Sequence, residues 1–181
     1  IGVSDGNFYP NHEELQYKII SNVAQPGGPT SYYTHGTAVA ITAAGSTENG
    51  IGKSSIGFDC RLSLSNMGYN HLLNLSYGGA RVINASWTSG CSNNTYIQSV
   101  IDEIYSNGTI IVAAAGNASC GNANNLVYPA ACDHVIAVSS IGPNNNHERT
   151  IGDSTTTHQH NSSVDLCAPG YDVALSGNAG W

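Results

Sequence analysis

Asp5, His35 and Asn117 are the residues whose types and order in the chain could carry chemistry. An imidazole titrates near neutrality, so His35 can take up a proton and return it. A carboxylate such as Asp5 can hold that imidazole in one tautomer and stabilise its protonated form. A carboxamide such as Asn117 can donate hydrogen bonds to an oxygen that becomes negative during reaction. Taken singly, each has a plain alternative: Asp5 as a turn or cap residue after a strand, His35 as a cap at a helix start, Asn117 as part of a tight turn after Gly116. A nucleophile to complete the set is missing, because no Ser between Ile1 and Trp181 stands in a suitable setting.

The elements that must position these residues alternate in type. Ile1–Ser4, Arg61–Met67, Val82–Ser86, Thr109–Ala115 and Val135–Ser140 read as strands. Gly36–Ala44 is a small, Ala-rich helical stretch. Asn93–Asn107 places Ile97, Val100, Ile101 and Ile104 on one helical face, with Gly108 as its stop. Near-continuous apolar runs such as Ile110–Ala113 imply strands buried on both faces, and strands alternating with helices imply a parallel sheet covered on both sides. The expected fold class is therefore α/β, a three-layer sandwich with a mostly parallel sheet. Ligands of such folds bind at the carboxyl ends of strands. Asp5 and Asn117 lie just past two such ends, and Ser86 closes a third. Gln25–Pro29 is a turn-rich connection and Pro143–Gln159 a polar surface loop.

With 181 residues, 40% of them hydrophobic, the chain has material for one domain with a substantial core. Only 9% of residues are charged and the net charge is -7, with no basic run, so nucleic acid is not an expected partner. No apolar run reaches the length of a membrane span. No signal-peptide pattern opens the chain, so any leader is expected to have been removed or to precede Ile1. The five cysteines lack metal-knuckle spacing. Cys120 and Cys132 bracket an Asn/Gly-rich loop, which suits a disulfide in a secreted protein; five buried thiols are the alternative, and the odd count leaves at least one without a partner in the chain. Six Asn-x-Ser/Thr sites, at Asn74, Asn84, Asn93, Asn107, Asn117 and Asn161, are read as composition. Gly52-Lys53-Ser54 lacks the upstream Gly and strand of a phosphate-binding loop. His158-Gln159-His160 is read as solvated loop rather than a metal site.

Several runs, in order, resemble the subtilases, the subtilisin-like serine proteases. Val3-Ser4-Asp5-Gly6 is similar to the strand-then-Asp motif, although Asp5-Gly6-Asn7 departs from the usual Asp-Ser/Thr-Gly. His12-Glu13-Glu14-Leu15 resembles His-Pro-Asp-Leu. His35-Gly36-Thr37-Ala38-Val39-Ala40 resembles His-Gly-Thr-His-Val-Ala. Asn49-Gly50-Ile51-Gly52 resembles the loop behind that helix, and Val82–Ser86 the strand lining the substrate groove. Ala113-Ala114-Ala115-Gly116-Asn117 resembles the oxyanion motif, Val127-Tyr128-Pro129-Ala130 a pocket segment, and Asp165–Gly170 the stretch before the catalytic Ser.

The resemblance implies an extracellular endopeptidase acting on polypeptides. Asp5 would orient His35, His35 would be the base and Asn117 the oxyanion donor. Ser86, Trp87 and Thr88 would pair with the substrate strand, and Ala114 and Gly116 would wall the first specificity pocket. A structural calcium would take Glu14, Asn49 and the carbonyls of Thr47, Ile51 and Lys53. Cys120 is expected to pair with Cys132 in the first place and Cys91 in the second. The Gly-Thr-Ser segment of the family is expected after Trp181, on a C-terminal segment or a second chain that also covers the sheet. The 181 residues alone are then expected to be inactive. The alternative is a non-catalytic, subtilase-like binding or scaffold domain in which Ser is replaced.

Overall fold

The computed structural model describes residues 1–23, 35–142, 145–150 and 153–170. The Gln25–Pro29 turn and Trp181 lie outside them. The described elements run β1 (Gly2–Ser4), β2 (Ile19–Asn22), α1 (His35–Ala44), β3 (Leu62–Ser65), α2 (Tyr69–Tyr77), β4 (Val82–Ala85), α3 (Thr95–Ser106), β5 (Ile110–Ala114), β6 (Val135–Ile141), β7 (Glu148–Thr150), β8 (Asp153–Thr157) and β9 (Leu166–Pro169). A seven-stranded sheet has the order β2-β3-β1-β4-β5-β6-β9, and β7-β8 form a separate antiparallel pair. This is the α/β class that the alternation of runs predicts. The chain divides into two compact units, one through Asn84 and one from Ala85.

In the first unit β1 runs parallel to β3, with Val3 beside Leu64, and β2 runs parallel to β3 on the other side. Every residue of β1 and β3 is buried, as strands covered on both faces should be. Val3, Leu62 and Leu64 join Phe8, Leu15, Ala40, Ile41 and Ala44 in one cluster. Fully burying an aliphatic side chain of this size is worth about 1.5–3 kcal/mol, so α1 is held to the sheet by Ile41 more than by its Ala residues.

In the second unit β5, β6 and β9 are parallel, with Val112 beside Ile136 and Val138 beside Leu166. α3 packs on β5 through most of the face predicted: Val100, Ile101 and Ile104 are buried, while Ile97 is half-buried. Asn94 caps it, its side chain accepting from the Ile97 amide at 2.9 Å. The chain leaves α3 through Gly108 at φ +78°, a left-handed position that suits Gly.

Four expectations require correction. β5 and β6 are buried on one face only: Ile111, Ala113, Val135 and Ala137 are covered, while Ile110 is 42% exposed and Val112 and Ile136 are half-exposed. Apolar side chains on both sides of a strand require cover on both sides, and among the described residues only one side of this pair has it. Pro143–Gln159 is not simply a polar surface loop; it carries the β7-β8 hairpin and ends in buried His158 and Gln159. Nor are His158 and Gln159 solvated, because internal hydrogen bonds replace water around them. Cys120 bonds to Cys91, 29 residues before it, and not to Cys132. Cys132 is a buried thiol, and Cys60 and Cys167 are also free.

Candidate active site

Asp5 follows the last residue of β1 and extends the ladder, its amide donating to the Ser65 carbonyl at 3.0 Å. Its carboxylate is buried. Oδ1 accepts from the Gly6 amide at 2.7 Å, and both oxygens stand 2.9 Å from His35 Nδ1. His35 is the first residue of α1, with a side chain 65% exposed. One edge of the imidazole is therefore fixed by a buried carboxylate, while most of the ring is solvent-exposed.

The residues after His35 explain why it reaches Asp5. A Cβ on Gly36 would sit 2.3 Å from the Gly6 carbonyl oxygen, so only Gly lets the helix start approach the end of β1 this closely. Thr37 is fully buried, and its hydroxyl accepts from the Tyr9 amide at 3.0 Å. Gly36 and Thr37 thus position the pair. Hydrogen bonding to Asp5 is the main cause that raises the His35 pKa above 6.5, opposed by burial and aided by the Asp5 charge.

Glu14 lies in the turns after β1. It is 1% exposed. Oε1 accepts from Asn49 Nδ2 at 3.1 Å, and Oε2 has no hydrogen-bond partner among the described residues. Burial pushes its pKa up, partly offset by the Asn49 bond. Residues Thr47–Ser54 line a cavity of ≈ 330 Å³. Gly52, at φ +57°, lies against the Glu14 carboxylate, where a Cβ would stand 2.8 Å from Oε1. A buried carboxylate oxygen left unmatched beside a carbonyl-bearing loop fits a hard cation with oxygen ligands. Among the described residues no three His, Cys, Asp or Glu side chains gather as a metal cluster, so any ion there would depend on amide and carbonyl oxygens. The Glu14 amide donates to His12 Nδ1 at 3.1 Å. This bond requires His12 to be neutral at that nitrogen, and burial lowers its pKa accordingly.

In the second unit Ser86 follows β4, with Ser86 half-buried, the Trp87 side chain buried and Thr88 exposed. Ser89 and Gly90 pair with Tyr128, amide to carbonyl, at 2.7 and 3.1 Å. Ala114 ends β5; Ala114 and Gly116 are half-buried and Asn117 is exposed. The Cys91–Cys120 disulfide joins the segment after β4 to the segment after Asn117. Backbone pairing and the disulfide thus tie residues 89–91 to Tyr128 and to Cys120. Gly36 and Thr37 are positioning residues that the sequence reading does not single out, although both stand inside the His-Gly-Thr run.

The Subtilase family model matches residues 1–181. Subtilisin DY of Bacillus licheniformis is 30% identical over 191 residues, covering 96% of this chain and 65% of its own length. The thermophilic serine proteinase of Bacillus sp. (strain AK1) is 28% identical, covering 98% of this chain and 46% of its own. A solved protease structure from Pseudoalteromonas arctica has a TM-score of 0.74 at 23% identity, covering 93% of this chain and 61% of that one. This chain spans roughly half to two-thirds of the length of these relatives and belongs, over all its residues, to the Subtilase family.

Proposed function

We propose that these residues are part of a subtilisin-type serine endopeptidase that hydrolyses peptide bonds, with the nucleophilic Ser supplied from outside Ile1–Trp181. The observation that carries the reading is the contact of His35 Nδ1 with both Asp5 oxygens at 2.9 Å. A neutral His35 donating Nδ1–H to Asp5 keeps its other ring nitrogen as the acceptor. That nitrogen takes the Ser hydroxyl proton as the oxygen attacks the scissile carbonyl, and later gives it to the leaving amine. Buried Asp5 stabilises the imidazolium between these steps. The Asn117 carboxamide would donate to the tetrahedral oxyanion.

A polypeptide substrate would lie as a strand along the backbone of Ser86, Trp87 and Thr88. With Trp87 buried in the protein, that strand would read main chain rather than an indole face. Ala114 and Gly116, one residue on either side of buried Ala115, would wall the first pocket. Calcium held by Glu14, Asn49 and the carbonyls of Thr47, Ile51 and Lys53 would supply the charge that lets Glu14 ionise while buried. The half-exposed face of Val112 and Ile136 supports a further segment or second chain that covers it. The disulfide supports a secreted protein, and no described helix is long and apolar enough to cross a membrane.

A serine-directed phosphonate probe and a peptide substrate test this on the full-length protein. Labelling of one Ser outside Ile1–Trp181, with activity abolished by His35→Ala, is expected. The chain of 181 residues by itself should not cleave the peptide. A folded full-length protein that takes no label points to the non-catalytic scaffold, and labelling of a Ser within Ile1–Trp181 overturns the assignment.

A further inference from the structure

Gln159 is fully buried, and its carboxamide is directed wholly at the segment that follows Gly116. Oε1 accepts from the Ser119 amide at 3.1 Å. Nε2 faces the carbonyls of Ser119, Asn122 and Asn125 at 3.0, 2.9 and 2.9 Å. The Gln159 amide donates to the Gly116 carbonyl at 2.9 Å, and the Ser139 hydroxyl, from β6, donates to the Gln159 carbonyl. The residue thus ties the loop to the sheet through both its side chain and its backbone. Asn117 stands between the two attachments, one residue after Gly116 and two before Ser119.

The loop needs such a fastening. Gly116, Ala118 and Cys120 have φ of +115°, +54° and +63°. For Ala118 and Cys120 this is a strained conformation that persists only where the surroundings hold it. A Cβ at Gly116 would approach Gln159 Oε1 to 3.3 Å, so a side chain at 116 would crowd the carboxamide. The disulfide holds Cys120 from the Cys91 side, but it does not reach the amides and carbonyls on either side of Asn117. Gln159 does.

We propose that Gln159 is a positioning residue that sets the orientation of Asn117, and with it the Gly116 wall of the first pocket, without touching the substrate. This rests on the assignment of Asn117 as oxyanion donor. A carboxamide suits the task because it combines two N–H donors with an acceptor in one plane. A side chain of the same length without those groups leaves the Ser119 amide and three carbonyls to seek other partners, and the corner bearing Asn117 relaxes.

The test is a double-mutant cycle on full-length protein, with kcat, KM and thermal unfolding measured for each variant. Displacement of a catalytic group by about 1 Å can lower rate on the order of 10²-fold. Gln159→Met should therefore lower kcat by roughly 10- to 100-fold with KM changed much less, as expected for an interaction that matters in the transition state. In the Asn117→Ala background the same substitution should change kcat by less than about twofold, because the group it positions is gone. A wild-type kcat in folded Gln159→Met, or an equal loss in both backgrounds, overturns the proposal. Gln159→Glu provides an independent arm that does not need Gln159→Met to fold. Its protonated carboxyl keeps an acceptor and one donor, so its kcat relative to wild type should rise as pH is lowered through the carboxyl ionisation. A flat ratio overturns the proposal. If wild type itself neither cleaves peptide nor takes the serine probe, the protease reading fails instead.

Discussion

At the residue scale the balance between burial and exposure defines Asp5 and His35. Asp5 is buried and held by Gly6, while His35 is open on its far edge. The Asp5 bond raises the His35 pKa above 6.5, and general-base activity requires the neutral ring. The acid limb of the kcat/KM profile is thus expected above pH 6.5, moving down in Asp5→Asn, whose kcat should fall on the order of 10⁴-fold through loss of the correct tautomer. A limb unmoved in Asp5→Asn would show that His35 does not set it. For stability the sign is the same as for any raised His: the Asp5 contact helps folding below pH 6.5 and the benefit is lost as pH rises through the folded pKa. With His35 largely exposed, that benefit is small.

Glu14 has the opposite consequence. Its pKa is raised from 4.5 by burial, so the protonated form is favoured in the folded protein. Folding is helped below the raised pKa, and stability falls as pH rises from 4.5 through it. An ion held at Glu14 and Asn49 would offset that loss. Added calcium should raise the Tm of full-length protein at neutral pH and do so much less near pH 4.5. Glu14→Gln should raise Tm in chelator and abolish the calcium response. An unchanged calcium response in Glu14→Gln would place the ion elsewhere.

At the scale of elements, the critical contact is the start of α1 against the end of β1. Gly36→Ala puts a methyl group 2.3 Å from the Gly6 oxygen. That oxygen is backbone, so it can yield only by moving α1 or β1. A loss of about 1–3 kcal/mol in stability is expected, as for other overpacked sites, together with a fall in kcat on the order of 10²-fold as His35 shifts from Asp5. Chemical denaturation and steady-state kinetics check the two parts separately. Wild-type kinetics would mean that α1 tolerates displacement and that the Gly6–Gly36 approach is incidental to catalysis.

At the scale of the whole molecule the cysteines report which parts open together. Cys91–Cys120 closes a loop of 29 residues, a constraint worth roughly 3–4 kcal/mol in the unfolded-chain model. Reduction should lower the unfolding midpoint by a corresponding amount. In the native protein Cys167, which is exposed, should react first with an alkylating reagent. Cys132 is buried and its pKa is pushed up to about 11 by burial, with the Asp133 and Asp102 charges adding to it, so it should react only on unfolding. Peptide mapping without reduction should recover Cys91 joined to Cys120. Rapid native labelling of Cys132 would show that the second unit opens far below global unfolding.

What could be read from the chain alone was local. Asp5 and His35 belong to short runs whose geometry is decided within a few residues: a strand end, a helix start, a Gly where backbones meet. α3 was legible because Val100, Ile101 and Ile104 recur with the period of a helix. α2 was not, because Tyr-Asn-His-Leu-Leu-Asn-Leu-Ser-Tyr is Asn-rich and buries only Leu72, Leu75 and Ser76. β2 and β9 escaped notice because they stand at the ends of the strand order and expose most of their residues; their strand state comes from pairing with β3 and β6 rather than from side-chain pattern. The partner of Cys120 depended on which thiol the fold brings within bonding distance, and sequence separation carries no such information. Gln159 is the clearest case. A polar residue in a polar run reads as solvated, and only the tertiary structure, by closing the loop after Asn117 around it, turns that polarity into a set of buried hydrogen bonds.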